Sequence, residues 1–219
     1  MKICILTKKE KPGVKEAISF TKSFIDDCDI FFGKINDPFP EYIKKNHFDI
    51  LISYISPWIV PVEILEKTKK WNINFHPGPP EYPGIGCFNF ALFDKAKQFG
   101  TTAHIMNPKV DTGKIIGVNR FSINNDETVE SLSNKTYSSQ LVLYKEILEY
   151  IVLHNKLPVC EENWKRKPFK RYELEQLATI DPSMEEDEIN ERIRATYCPD
   201  KPAPFIEIYG HRFEYNPER

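Results

Sequence analysis

Apolar positions recur along this chain in two rhythms. Residues 2–6, 29–32, 49–54 and 72–75 are strand-length runs rich in Ile, Phe and Tyr, and the segments between them carry helical spacing, as in Val14, Ala17, Ile18, Thr21, Phe24 and Ile25. Pro61 suits the first turn of the helix that follows residues 49–54. Strand alternating with helix predicts an α/β fold: a mostly parallel, twisted sheet with helices on both faces.

After Phe75 the texture changes. Residues 76–87 hold four prolines and three glycines, which restrict and reverse the backbone and give a stiff loop at the carboxyl end of a strand, where open α/β sheets place their ligands. A helix from about Asn89, strands at 102–106 and 114–120, and a long helix at 126–157 follow. In that helix Val129, Leu132, Leu141, Tyr144, Ile147, Leu148 and Ile151 are the candidate buried positions. From Pro158 the chain is more polar. Ser183-Met184-Glu185-Glu186 has the spacing of a capping box and predicts a helix to about Ala195. Residues 205–215 alternate apolar and polar on both sides of Gly210-His211, which predicts a hairpin with a type II′ turn. The expected organisation is one main domain over residues 1–180 and an appendage over 181–219 that serves dimerisation or a binding site.

Composition narrows the class of protein. The 219 residues are 41% hydrophobic and 28% charged, enough apolar material for a core and too much for a disordered chain. Thirty Lys and Arg against 32 Asp and Glu leave a net charge of −2, so no long-range attraction for a nucleic-acid backbone is expected. The short apolar run at the N-terminus is stopped by Lys8 and Lys9 before it could form a signal-peptide core, and no stretch approaches a membrane span. Five scattered cysteines without a Cys-x-x-Cys fit reduced thiols. The expectation is a cytoplasmic protein without a structural metal.

Asn74 and His76 lie two apart on a predicted strand, so both side chains project from one face at its end, an amide donor and an imidazole aimed into one cleft. Asp111-Thr112-Gly113 puts a carboxylate in a tight turn between two strands. Alone it reads as an Asx-turn closing a hairpin, or as half of an aspartic-protease pair that only a homodimer could complete. The preferred reading has Asp111 facing His76, fixing its tautomer and raising its basicity. Gly84-x-Gly86 does not follow the first strand, so a dinucleotide fingerprint is not expected. Cys87 could pair with His76 as a nucleophile, but beside Ile85 and Phe88 it reads as a small buried hydrophobe. His47, His104, His154 and His211 show no ligand spacing and are assigned structural or exposed positions.

Asn74-Phe75-His76 before a proline-rich loop, Thr101-Thr102-Ala103-His104-Ile105-Met106 and Val110-Asp111-Thr112-Gly113 together resemble the formyltransferases that use 10-formyltetrahydrofolate. The likeness implies a Rossmann-like catalytic domain over 1–180 and a catalytic set of Asn74, His76 and Asp111. It also implies that the segment from Ser53 to Pro61 holds the pteridine by its backbone, with Trp58, Val60 and Asn107 as folate contacts. Residues 76–91, and Arg192 to Pro199 with Pro202 to Phe205, are most similar to the sugar N-formyltransferases. That branch implies a nucleotide-linked amino sugar as acceptor, commonly dTDP-4-amino-4,6-dideoxyglucose, in surface polysaccharide synthesis, and a homodimer. The methionyl-tRNA branch adds a second domain and a basic linker that the chain's length and charge do not suggest. A phosphoribosylglycinamide formyltransferase and a catalytically silent folate- or nucleotide-binding module are the alternatives. Tyr82, Trp164, Arg171, Arg194 and Tyr197 are the expected acceptor residues, aromatics that could stack on a base and guanidiniums that could pair with phosphate. No metal is required.

Overall fold

The computed structural model describes residues 1–199 and 201–217. Six strands form the main sheet: β1 (Ile3–Thr7), β2 (Cys28–Phe32), β3 (Ile50–Tyr54), β4 (Trp71–His76), β5 (Gln98–Ile105) and β6 (Ile115–Ser122), in the order β2-β1-β3-β4-β5-β6. The first four run parallel. β5 and β6 turn the sheet antiparallel, so the mostly parallel α/β sheet expected from the alternation is present. Every residue of β1 and β3 is buried, as strands covered on both faces must be.

Two helical layers provide that cover. On one face α1 (Val14–Lys22) and the long α5 (Val129–His154) bury Ile3, Ile5, Ile50, Ile52, Ile73 and Phe75 against Tyr144, Ile147 and Ile151. On the other, α2 (Glu41–Lys45) and α3 (Val62–Lys67) close over Cys4, Leu6 and Leu51 with Ile43 and Ile64. The α5 register follows the sequence pattern, with two additions: Leu143 is buried where Leu141 is only partly so, and Gln140 is buried because its Nε2 donates to the Phe75 carbonyl at 2.7 Å. Its ends are marked by a Thr128–Ser131 capping box and by Asn155 in the left-handed region at φ 48°. Pro61 stands one residue before the α3 helix proper, as its N-cap.

The remaining elements are α4 (Cys87–Phe93), α6 (Arg171–Ala178), α7 (Glu186–Thr196), β7 (Phe205–Ile208) and β8 (His211–Glu214). α7 buries Ala195 in the cluster that holds Leu92 and Phe99. Two local expectations are corrected. Ser183 does not cap α7, because its Oγ and its N–H both bond to the Asp181 carboxylate, at 2.7 and 2.8 Å, and Glu185 takes the N-cap position. The hairpin turns on Tyr209-Gly210, at φ 50° and 77°, so the turn is type I′ and one residue earlier than expected. Among the described residues no helix is long and apolar enough to cross a membrane.

Candidate active site

The carboxyl ends of β1, β3 and β4 open onto a cavity of about 340 Å³, the position an open α/β sheet dictates. One wall belongs to the α3 face, with Trp58, Val60, Leu65 and Met106. The opposite wall carries Tyr137 from α5 and Lys8 from the β1–α1 connection, and Asn74, His76, His104 and Asp111 lie between the two. The bend that starts the first wall is strained: Ile55 follows β3 at φ 55°, a rare conformation for a β-branched residue.

Strand alternation brings Asn74 and His76 together as expected. The Asp111 carboxylate then joins them from the β5–β6 connection, with Oδ2 at 3.2 Å from His76 Nδ1 and Oδ1 at 3.4 Å from Asn74 Nδ2. Asp111 itself sits at φ 47°. The turn needs Gly113, since a Cβ there would stand 1.7 Å from the Ile105 carbonyl oxygen. A fourth member was missed. His104, assigned a structural or exposed position from sequence, is paired with Asn74 in the antiparallel β4–β5 register and is 2% exposed. Its Nε2 lies 3.2 Å from Asp111 Oδ1 and 3.0 Å from Asn74 Nδ2. His47, His154 and His211 are exposed, as assigned.

Each imidazole gives one nitrogen to a carbonyl and shows the other to the shared carboxylate. His104 Nδ1 donates to the Ile105 carbonyl at 3.0 Å, and His76 Nε2 donates to the Tyr82 carbonyl at 2.9 Å. Asp111 reflects the same arrangement. Burial pushes its pKa up, but the charge of His76, the hydrogen bond and charge of His104 and the Gly84 N–H at 2.9 Å outweigh it and hold the carboxyl well below its ordinary value. Cys87 is not poised as a nucleophile: burial pushes its thiol up to about 12, and its Sγ donates to the Pro77 carbonyl at 3.2 Å.

The expected folate residues Trp58, Val60 and Asn107 all line the cavity. Among the described residues the backbone groups of Ile59 and Val60 make no backbone hydrogen bonds, leaving them free to read a ligand. An apolar wall with unused amides beside it fits a flat heteroaromatic ring with polar edges. Of the expected acceptor residues, Trp164 packs against both histidines but does not line the cavity. Tyr82, Arg171, Arg194 and Tyr197 do not line it either. The Arg194 guanidinium bonds to the Asn125 and Leu92 carbonyls, Tyr197 packs edge-on against Tyr215, and the Tyr82 hydroxyl bonds to Asp94. Lys8, not singled out from sequence, is the cation on the α5 side of the cavity. Burial and the neighbouring Lys11 and Lys201 lower its pKa.

Comparison with known proteins places this geometry. A family model described as formyl transferase matches residues 36–148, more than half of the chain. GDP-perosamine N-formyltransferase of Brucella melitensis biotype 1 is 26% identical over 176 residues, 80% of this chain and 67% of that protein. A sugar N-formyltransferase structure from Shewanella sp FDAARGOS_354 superposes with a TM-score of 0.78 at 18% identity, over 98% of this chain and 96% of its own. The N-formyltransferase of Helicobacter canadensis, solved with folinic acid and dTDP-3-aminofucose, gives 0.74 at 21% identity, over 97% and 86%.

Proposed function

This chain belongs to the formyl transferase family, and we propose that it moves the formyl group of 10-formyltetrahydrofolate to the amine of a nucleotide-linked amino dideoxy sugar, with dTDP-4-amino-4,6-dideoxyglucose placed first among the acceptors. The observation that carries the reading is the Asn74–His76–Asp111 cluster, with His76 and Asp111 buried, at the cavity between the Trp58–Val60 wall and the Lys8–Tyr137 wall. The names of a GDP-perosamine N-formyltransferase relative and of a structural neighbour holding dTDP-3-aminofucose support the acceptor class.

The folate supplies the formyl carbon. Attack by a neutral sugar amine builds negative charge on the formyl oxygen, and Asn74 Nδ2 with a protonated His76 are the donors that meet it, each of a type worth about 3 to 4 kcal/mol. In the structure the His76 Nε2–H is held by the Tyr82 carbonyl, so its use on substrate exchanges one carbonyl acceptor for another. Asp111, kept ionised, holds the imidazolium and orients the water that takes the amine proton. As the tetrahedral adduct collapses, the bond from the formyl carbon to the folate nitrogen breaks and tetrahydrofolate leaves with a proton on that nitrogen. The diphosphate of the acceptor meets Lys8, in place of the Arg171 and Arg194 expected from sequence.

The homodimer rests on the hairpin. Ile206, Ile208, Phe213 and Tyr215 share one face of β7–β8, with Ile208 46% and Phe213 56% exposed, and a two-stranded hairpin is marginal with that face in water. We assign residues 181–219 to the two-fold interface. Five free cysteines and the substrates proposed here suit the cytoplasm and a step of surface polysaccharide synthesis.

The test is a mass-spectrometric assay with 10-formyltetrahydrofolate and a panel of dTDP- and GDP-linked amino sugars, phosphoribosylglycinamide and charged initiator tRNA. A nucleotide sugar should gain one formyl group. Formylation confined to phosphoribosylglycinamide or tRNA would remove the acceptor assignment, and no transfer to any acceptor would remove the activity.

A further inference from the structure

Residues 158–170 leave the end of α5 and cross the proline-rich loop without forming a helix. The crossing is tied along its length: Lys165 N–H donates to the Pro80 carbonyl at 2.9 Å, Phe169 N–H to Pro83 at 2.9 Å, and Ile85 N–H returns to Phe169 at 3.0 Å. Gly84 allows the approach, because a Cβ there would stand 2.4 Å from the Phe169 carbonyl oxygen. Arg120 fastens the start, bonding Glu81 of the loop at 2.9 Å and Glu162 of the crossing segment at 2.5 Å.

This strap presents one large side chain to the candidate site. The Trp164 ring stands perpendicular to His104, with centroids 5.1 Å apart at 82°, and to His76, at 5.8 Å and 70°. Its Nε1–H donates to the Gly113 carbonyl at 2.8 Å, in the turn that carries Asp111. It is not among the side chains that line the cavity. One indole therefore touches both imidazoles and the turn behind the carboxylate they share, from outside the ligand space. The Gly84 N–H that bonds Asp111 comes from the loop held by the same strap.

We propose that Trp164 is a positioning residue for the transfer: it blocks rotation of His76 and His104 and pins the Asp111–Gly113 turn, so the two rings keep one arrangement about the carboxylate. The proposal rests on the reading of His76 and Asp111 as the transfer site. It differs from a stacking platform for the nucleotide base, which the sequence alone suggested for this tryptophan. A stacking residue contributes to binding, whereas a positioning residue contributes to turnover, since displacements of about 1 Å can cost 100-fold in rate.

The experiment uses full-length protein labelled with 15N-histidine, following the His76 and His104 ring nitrogens through a pH titration beside kcat and KM across pH. Trp164→Ala should shift both imidazole titrations and the pH profile of kcat and lower kcat at least about 10-fold, with KM for the nucleotide sugar within about 2-fold. Trp164→Phe, which keeps a ring and loses the Gly113 bond, should restore kcat to within about 5-fold. If Trp164→Ala does not fold, Trp164→Leu is read by the same criteria. Wild-type imidazole titrations, or a raised acceptor KM with unchanged kcat, would overturn the proposal. Shifted titrations in a protein that formylates no acceptor would support the positioning and remove the proposed function instead.

Discussion

The carboxyl edge of the sheet and the C-terminal hairpin treat their side chains in opposite ways. At the edge His76, His104 and Asp111 are at most 5% exposed, and each is held by partners from different strands or loops. On the hairpin every residue of β8 is exposed, and on its apolar face Ile208 and Phe213 are 46% and 56% exposed. Buried polar clusters leave little room for substitution, because removing one member strands the others in a low-dielectric site. An exposed apolar face is free within the chain and constrained only by what binds it. The first region should therefore answer mutation in turnover, the second in assembly.

The largest effect falls on the carboxylate. Asp111→Asn should lower kcat at least about 100-fold with the fold intact, as should His76→Asn and Asn74→Ala, measured at saturating substrates. The same variant tests the electrostatics. A carboxyl held below its ordinary value contributes stability that is complete above the unfolded-state pKa of about 3.9 and is lost as pH falls toward the folded one. The stability gap between wild type and Asp111→Asn in denaturant should then be widest near neutrality and narrow below about pH 4. A gap that widens on acidification would mean that the histidines do not hold this carboxylate.

His104→Ala comes next, at about 10- to 100-fold in kcat, because Asp111 Oδ1 and Asn74 both lose a partner. An unchanged kcat would reduce His104 to packing. This residue also marks the limit of what could be read in advance. Asn74 and His76 were legible because alternation along one strand is a local rule. His104 stood in a quoted motif, but its place beside Asn74 depends on the antiparallel β4–β5 register, set by residues some 30 positions apart. The alternation of the first four strands with helices followed from short-range periodicity in the same way. The strap did not: it has no period to detect, so Trp164 could be recognised as an aromatic worth noting and not as a neighbour of the histidines. Ser183 failed for a different reason, because a nearby Asp offered its N–H and hydroxyl a closer acceptor than the helix end.

Lys8→Ala should raise the KM for the nucleotide sugar about 10-fold and leave kcat within about 2-fold, the value of one charge-assisted hydrogen bond. The KM for folate, whose expected contacts lie on the opposite wall, should not move. A change confined to the folate KM would exchange the two walls.

The smallest effect on turnover is expected from the hairpin, and it is the sharpest test of the contrast. Ile206 and Ile208 on β7 pair with Phe213 and His211 on β8, so one face carries Ile206, Ile208 and Phe213 while Glu207, Arg212 and Glu214 occupy the other. Phe205, on that second face, is buried and fixes the hairpin to the body with the Ile180 N–H on its carbonyl at 2.7 Å. Changing Phe213 and Ile208 together to Glu thus leaves the attachment of the hairpin in place and puts two charges on the face assigned to a second subunit. In light scattering the double variant should be a monomer where the wild type is a dimer, with a lower midpoint of unfolding because association no longer favours the native state. Its kcat should stay within about 2-fold, since neither side chain lines the cavity. A monomeric wild type would remove the interface and leave the apolar face without its assigned cover. A dimer that dissociates together with a large loss of kcat would join the two regions, giving the hairpin a part in holding the site that its exposure in a single chain does not show.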